Sequence, residues 1–258
     1  MEKRVGRITR RELLGRSSLL AGALGAGLPA LGAEAKDNGC KLKIVVAGAH
    51  PDDPETGCGG TIARYTGEGH SVTIIYLTRG EAGIPGKTHA EAARIRTAEA
   101  EKACAILKAK PVFAGQIDGD TFVNNTRYAE FRKLLDAEQP DIVFTQWPVD
   151  SHRDHRATSL LTYDAWLTGG KQFDLYYYEV DAGEQTQNFH PTNYVDIDAT
   201  LAIKHDACFA HKSQLPATMF WPLHTKMMEF RGIECGVKNA EAFIAEAQNR
   251  ELGVPVRG

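Results

Sequence analysis

The sequence predicts an α/β fold with a Rossmann-like, mainly parallel sheet and helices on both faces. Three observations lead there. From residue 41 onward, apolar runs of strand length alternate with segments of helical period, the pattern of repeated βα units. The 258 residues are 43% hydrophobic and 24% charged, which is enough for one substantial core. Two clusters rich in histidine and aspartate directly follow apolar strands, at the carboxyl ends where such sheets collect ligands.

The elements follow in order. Residues 43–49 form a buried strand by their continuous Ile-Val-Val-Ala run, and 55–67 a helix closed by glycine. Strands at 71–78, 111–114 and 141–146 alternate with helices at 88–108, 128–138 and 154–168. Residues 175–180 and 194–197 are later strands, and the last sixty residues read as mostly helical with a loop around Pro216 and Pro222. No internal repeat or second domain boundary interrupts residues 36–258, which are expected to form a single domain.

The first 35 residues read as an export segment. Thr9-Arg10-Arg11-Glu12-Leu13-Leu14 is a twin-arginine pattern, followed by an uncharged run of small and apolar residues from 17 to 33 and by Ala33-Glu34-Ala35 as a cleavage site. Glycine at 22, 25 and 27 with Pro29 makes a poor buried helix, and the run is short for a membrane span. The protein is therefore expected in the periplasm or outside the cell. This segment carries six basic and three acidic residues, so the net charge of -3 leaves the remainder about six units negative. That balance argues against a nucleic-acid partner, and nothing in the sequence implies a protein partner. Five cysteines, at 40, 58, 104, 208 and 235, form no C-x-x-C pair and define neither a thiolate metal site nor a disulfide framework.

Chemistry concentrates in His50-Pro51-Asp52-Asp53 and His152-Arg153-Asp154-His155. Taken singly, each has an ordinary explanation, since Asp53 could cap a helix and a His-x-x-His start could be a solvated helix face. Both clusters facing one crevice is harder to explain as capping. The imidazoles and carboxylates exceed what a metal needs as ligands, and hydrolytic metal catalysis needs that surplus. Imidazole and carboxylate ligands together suit Zn²⁺, and Fe²⁺ equally.

These residues resemble the PIG-L or LmbE-like family of zinc-dependent N-acetylsugar deacetylases. The likeness runs through Ala49-His50-Pro51-Asp52-Asp53 with Gly59-Gly60, Leu77-Thr78-Arg79-Gly80-Glu81-Ala82-Gly83, Arg96-x-x-Glu99, Trp147-Pro148-x-Asp150-Ser151-His152-Arg153-Asp154-His155, His211-Lys212-Ser213-Gln214 and Ala240-Glu241-Ala242-Phe243. The resemblance implies that His50, Asp53 and His155 hold the metal, that Asp52 is the general base, and that His152 sits beside the reacting carbonyl. Removal of an acetyl group from an N-acetylated sugar or glycoconjugate, with water as nucleophile, is the activity it implies. Asp52 or His152 would protonate the departing amine. Arg79, Arg96 and Asp118 are candidate substrate contacts, although Arg79 with Glu81 could be a surface loop, Arg96 with Glu99 a pair on a helix face, and Asp118 a turn residue. Asp154 could orient a histidine or simply begin a helix. Two departures from the common family pattern stand out. Pro54 separates Asp53 from Glu55, and Arg153 replaces a usual proline, where a bulky cation near the cleft would favour anionic substrates.

Three other readings compete. Asp196-Ile197-Asp198-Ala199-Thr200 has the spacing of a phosphoryl-transfer nucleophile but comes too late in the chain to be completed. A nucleotide-binding module wants a glycine-rich turn after its first strand. A non-catalytic carbohydrate-binding protein has little need for Asp52 and His152 beyond three ligands. Esterase or amidase action on another acyl substrate fits the same groups.

Overall fold

The computed structural model describes residues 41–181 and 183–250. The export segment and Cys40 lie outside the described residues. A seven-stranded sheet organises the described chain, in the order β3-β2-β1-β4-β5-β7-β6. Its first five strands, β1 (Lys43–Gly48), β2 (Ser71–Tyr76), β3 (Lys110–Phe113), β4 (Ile142–Gln146) and β5 (Asp174–Tyr178), are all parallel. β6 (Asn193–Asp196) and β7 (Ala240–Ala245) extend it antiparallel.

Alternation along the strands builds two cores. Ile44, Val46, Ile74, Tyr76, Phe144 and Tyr178 face one side, while Val45, Ala47, Ile75, Val143 and Tyr177 face the other. On the first side lie α1 (Asp53–Gly67), α2 (His89–Leu107), α5 (Leu201–Cys208) and α7 (Trp221–Cys235), and on the second lie α3 (Asn125–Glu138) and α4 (Arg153–Thr168). Cys58, Cys104 and Cys208 are buried, the first two as small residues of the first core. The predicted α/β architecture is therefore the observed one. Its strand order reverses at the β1–β4 junction, where the chain passes from the β3-β2-β1 half to β4. Connections leave in opposite directions there and open a crevice at the strand ends.

Local chemistry sets the helix starts. Thr88 and Glu91 form a reciprocal capping box at α2, and Asn124 caps α3 through Arg127 N–H. At α1 Asp53 is an acid of the first turn and not the cap. Its Oδ2 reaches back to the N–H of His50 at 2.7 Å, while Asp52 occupies the cap position.

The described part of the last sixty residues is mostly helical, as expected, and departs from expectation at two places. Pro216 and Pro222 do not mark a loop; each sits in the first turn of a helix, α6 (Pro216–Met219) and α7, where the missing N–H has no partner to lose. Ala240–Ala245, helical by composition, forms β7 between β5 and β6. Sheet position overrides its weak strand propensity and carries Glu241 to α1, where its carboxylate accepts the N–H groups of Gly60 and Thr61 at 2.8 and 2.7 Å. Lys204 on α5, wholly buried, bridges Glu241 Oε1 and the carbonyl of Thr56 at 2.6 Å each.

Glycines in α1 admit these neighbours. A methyl at Gly57 would overlap the ring of Tyr178, and one at Gly60 would lie 2.5 Å from Ile197 Cγ2. Gly57→Ala is expected to lower stability by about 1–3 kcal/mol despite its better helix propensity. Urea denaturation measures this, and an unchanged midpoint would show that Tyr178 yields freely.

Candidate active site

The two clusters meet at the β1–β4 crevice. His50, Asp52 and Asp53 arrive on the turn between β1 and α1, and His152 and His155 at the start of α4. Their ring centroids stand 4.6 Å apart for His50 and His152, 4.7 Å for His152 and His155, and 5.3 Å for His50 and His155. All five residues line a cleft of about 590 Å³, within the range of small-molecule sites.

Two of the three imidazoles, His50 and His155, are oriented by carboxylates. His50 Nε2 lies 3.1 Å from Asp154 Oδ2 and 3.2 Å from Asp118 Oδ1, and its Nδ1 lies 3.2 Å from Asp53 Oδ2. His155 Nδ1 lies 3.0 Å from Asp150 Oδ1, and its Nε2 lies 3.5 Å from Asp53 Oδ1. The outer nitrogen of each ring is thus occupied, and both inner nitrogens converge on Asp53. Carboxylate behind imidazole is the usual support of a metal-binding histidine, and the donor set fits a divalent ion. Among the described residues, the groupings whose ligand atoms all lie within 4.8 Å of one another are His50 with His152 and His155, and His50 with Asp118, His152 and Asp154; the predicted ligand Asp53 is in neither. In the grouping with Asp118 and Asp154, His50 Nε2 already faces Asp154, whose carboxylate also accepts Gly119 N–H and the Thr121 hydroxyl.

Asp150 and Asp154 carry more than the sequence revealed. Asp150 Oδ1 also accepts the N–H of His152, and its Oδ2 accepts the Thr186 hydroxyl. Its signs in the sequence were its place five residues before His155 and within the family-like segment 147–155. Asp154 is fully buried. Its N–H donates to His152 Nδ1 at 3.2 Å, which fixes that ring as the tautomer carrying its proton on Nε2.

Asp52 is held under strain. Its φ of 107° lies in a region that side-chain-bearing residues rarely adopt. Glu55 Oε2 accepts its N–H at 3.1 Å, and Arg96 Nη2 donates to its carboxylate at 2.9 Å and to the carbonyl of Pro51. Glu55 is wholly buried, with the Tyr76 hydroxyl donating to Oε1 at 2.6 Å and His211 Nε2 3.1 Å from the same oxygen. Gly80 and Gly83 make room for the guanidinium, since a methyl on either would overlap it.

Charge follows these contacts. Burial opposes a charged ring at His50, but the carboxylates of Asp53, Asp118 and Asp154 outweigh it and raise its pKa well above the usual range. Burial lowers His152, and the neighbouring His50 and His155 add to the effect. Asp52 is pushed up to about 6 by burial, with Arg96 pulling the other way and Asp53 reinforcing the rise. Burial also opposes ionisation of Asp53, yet His155 and His50 hold it well below the carboxylate range.

The other predicted contacts separate. Asp118 lines the cleft, bonded to His50 and to Ala82 N–H. Arg96 also borders it, but its guanidinium is committed to Asp52 and Pro51 instead of pairing with Glu99, which binds Ser213. Arg79 does not line the cleft. Its guanidinium stacks 4.1 Å from the Phe113 ring and donates to Thr97, because its loop is anchored by Glu81, which accepts the N–H groups of Arg79 and Asp118. Arg153 points to solvent and is not among the lining residues, so the expected bias toward anionic substrates has no structural basis.

Residues 45–166 match the family model described as PIG-L, GlcNAc-PI de-N-acetylase. The diacetylchitobiose deacetylase of Thermococcus kodakarensis is 32% identical over 198 residues, spanning 70% of this chain and 73% of that protein. Among solved structures, the N,N'-diacetylchitobiose deacetylase of Pyrococcus horikoshii superposes with a TM-score of 0.70 at 26% identity, covering 80% of this chain and 84% of that one. A conserved protein of Thermus thermophilus gives 0.72 at 29% identity over 84% of this chain and all of that one.

Competition against a chelator is expected to show one tightly bound divalent ion per chain, lost in His50→Ala and Asp53→Ala. Asp150→Asn should weaken binding by about 10–100-fold by freeing the outer nitrogen of His155. Undiminished binding in Asp53→Ala would point to one of the two groupings that lack Asp53.

Proposed function

Because this chain belongs to the PIG-L family of de-N-acetylases, we propose that it hydrolyses the acetamide of an N-acetylated sugar or glycoconjugate, releasing acetate and an amine. The observation that carries this reading is the adjacency of two aspartates with opposite surroundings. Asp53 lies between two imidazole nitrogens, while Asp52, one residue earlier, is turned by a strained backbone into the same cleft. A protein that only bound carbohydrate would have no use for that strain.

His50 Nδ1, Asp53 and His155 Nε2 would hold the ion, with Zn²⁺ the expected metal and Fe²⁺ compatible with the same donors. When bound, such an ion supplies Lewis-acid chemistry and makes water a competent nucleophile near neutral pH. Asp52 takes the proton from the attacking water as general base, with its carboxylate aimed by Arg96 and its main chain fixed by Glu55. His152, with its proton on Nε2, donates a hydrogen bond to the carbonyl oxygen as negative charge develops there. Breaking the C–N bond requires a proton on nitrogen, and Asp52, having just received one, is placed to deliver it. Asp118 faces the same space and is available to the sugar hydroxyls. With the export pattern of residues 1–35, we place the substrate among glycans of the periplasm, the cell envelope or the surroundings.

Acetate release from N-acetylglucosamine oligosaccharides by metal-replete enzyme tests the reading. Asp52→Asn is expected to lower kcat by about 10²–10⁴-fold with metal content unchanged. Full activity in that variant would remove Asp52 from the reaction.

A further inference from the structure

His211-Lys212-Ser213-Gln214 stands between α5 and α6 and takes no part in the chemistry above. Lys212 is exposed, while the other three side chains each reach a different element. His211 is fully buried, and its Nε2 lies 3.1 Å from Glu55 Oε1 in α1. This is an ion-pair contact, since neither ring nitrogen makes a well-aligned hydrogen bond. Burial opposes a charge on the ring, but Glu55, with Asp52 adding to it, outweighs burial and raises its pKa. Ser213 gives both its N–H and its hydroxyl to Glu99, at 2.8 and 2.6 Å, and so binds α2 one turn beyond Arg96. Gln214 Nε2 donates to the carbonyl of Gly83 at 3.2 Å and to Ser213 Oγ at 3.0 Å.

The three anchors converge on one residue. Glu55 accepts the Asp52 N–H through its other oxygen, Oε2. Arg96, one turn before Glu99, holds the Asp52 carboxylate and the Pro51 carbonyl. Gly83 backs the guanidinium so closely that a methyl there would overlap Arg96 Nη1. His211 therefore bears on the main chain of Asp52 through Glu55, whereas Ser213 and Gln214 bear on its carboxylate through α2, Gly83 and Arg96. These routes pass through separate elements, and one short segment supplies the end of each. A strained φ persists only where its surroundings impose it, and both restraints on Asp52 lead back to this segment.

We propose that residues 211–214 form a brace that holds Asp52 in its strained, cleft-facing position, with His211 and Gln214 as positioning residues for the proposed base. Each acts through another residue, His211 through Glu55 and Gln214 through Gly83 and Arg96. The brace serves catalysis only if Asp52 is the base, so this rests on the deacetylase reading and deepens it.

The test measures acetate release from N-acetylglucosamine oligosaccharides by metal-loaded full-length enzyme carrying His211→Phe or Gln214→Met, each in wild-type and Asp52→Asn backgrounds. Both substitutions keep side-chain bulk and remove the polar contact. In the wild-type background each is expected to lower kcat by about 10–100-fold, the cost of displacing a reacting group by up to about 1 Å, with KM and metal content near wild type. In the Asp52→Asn background neither should lower kcat further, because the group they position is gone, whereas a general structural defect would persist there. Should His211→Phe not fold, Gln214→Met, at a half-buried position, decides alone. Where Asp52→Asn is too slow to measure, a crystal structure of Gln214→Met decides: a displaced Asp52 carboxylate supports the brace, and an unmoved one overturns it. Unchanged kcat, a loss carried by KM or by metal content, or an equal loss with and without Asp52 overturns the proposal and leaves the deacetylase reading standing. No acetate release by wild type overturns both.

Discussion

The site depends on one interaction, the approach of Asp53 to two imidazoles whose other nitrogens are already taken. His50 is turned by Asp154 and Asp118, and His155 by Asp150. These outer carboxylates come from three different places, after β3, after β4 and from the start of α4. The switch point between β1 and β4 is what lets them meet. Parallel strands send all their carboxyl ends to one edge, and the reversal of order leaves a gap there wide enough for side chains from several loops. A cluster so rich in carboxylate is unfavourable without positive charge. The raised pKa of His50 and the depressed one of Asp53 are two sides of that mutual compensation.

Asp52 follows from the same turn by a different means. Asp53 must face inward at the first position of α1, and its bond to His50 N–H closes the turn tightly. Asp52 is left with a φ no ordinary helix cap uses. Strain of this kind costs on the order of 1–3 kcal/mol and persists only where surroundings impose it. Here Glu55 pulls on the Asp52 amide from within the core, and Arg96 holds the Pro51 carbonyl and the Asp52 carboxylate from the cleft side. Arg96 therefore positions the Asp52 carboxylate, which accounts for two glycines in the loop after β2.

Much of this was legible because the decisive residues are contiguous and follow strands of clear periodicity. His50, Asp52, Asp53, His152 and His155 are concentrated in two short segments, and their meeting needed only the parallel-sheet reading. What stayed hidden lies in long-range pairing. Asp150 became an orienting acceptor because Thr186 and His155 converge on it. Arg79 and Arg96, both cations near a strand end or helix face, received opposite fates from packing against Phe113 and against the two glycines. The strand at Ala240–Ala245 escapes a reading by composition because alanine and glutamate carry helical propensity, and only its place between β5 and β6 makes it a strand.

That strand has a consequence for the site. The glycines that let Tyr178, Lys204 and Ile197 close on α1 would by themselves weaken the helix whose first turn carries Asp53. Lys204 and Glu241 act against this, binding the Thr56 carbonyl and the Gly60 and Thr61 amides in a fully buried pair. Such a pair adds little net stability compared with a hydrophobic substitute, but it fixes the axial position of one helix turn. Asp53 lies three residues before the carbonyl that Lys204 holds, so a slide of α1 along its axis would move the carboxylate off the line between the two imidazoles. The antiparallel extension of the sheet, distant in sequence from both clusters, is thereby tied to the geometry of the candidate site.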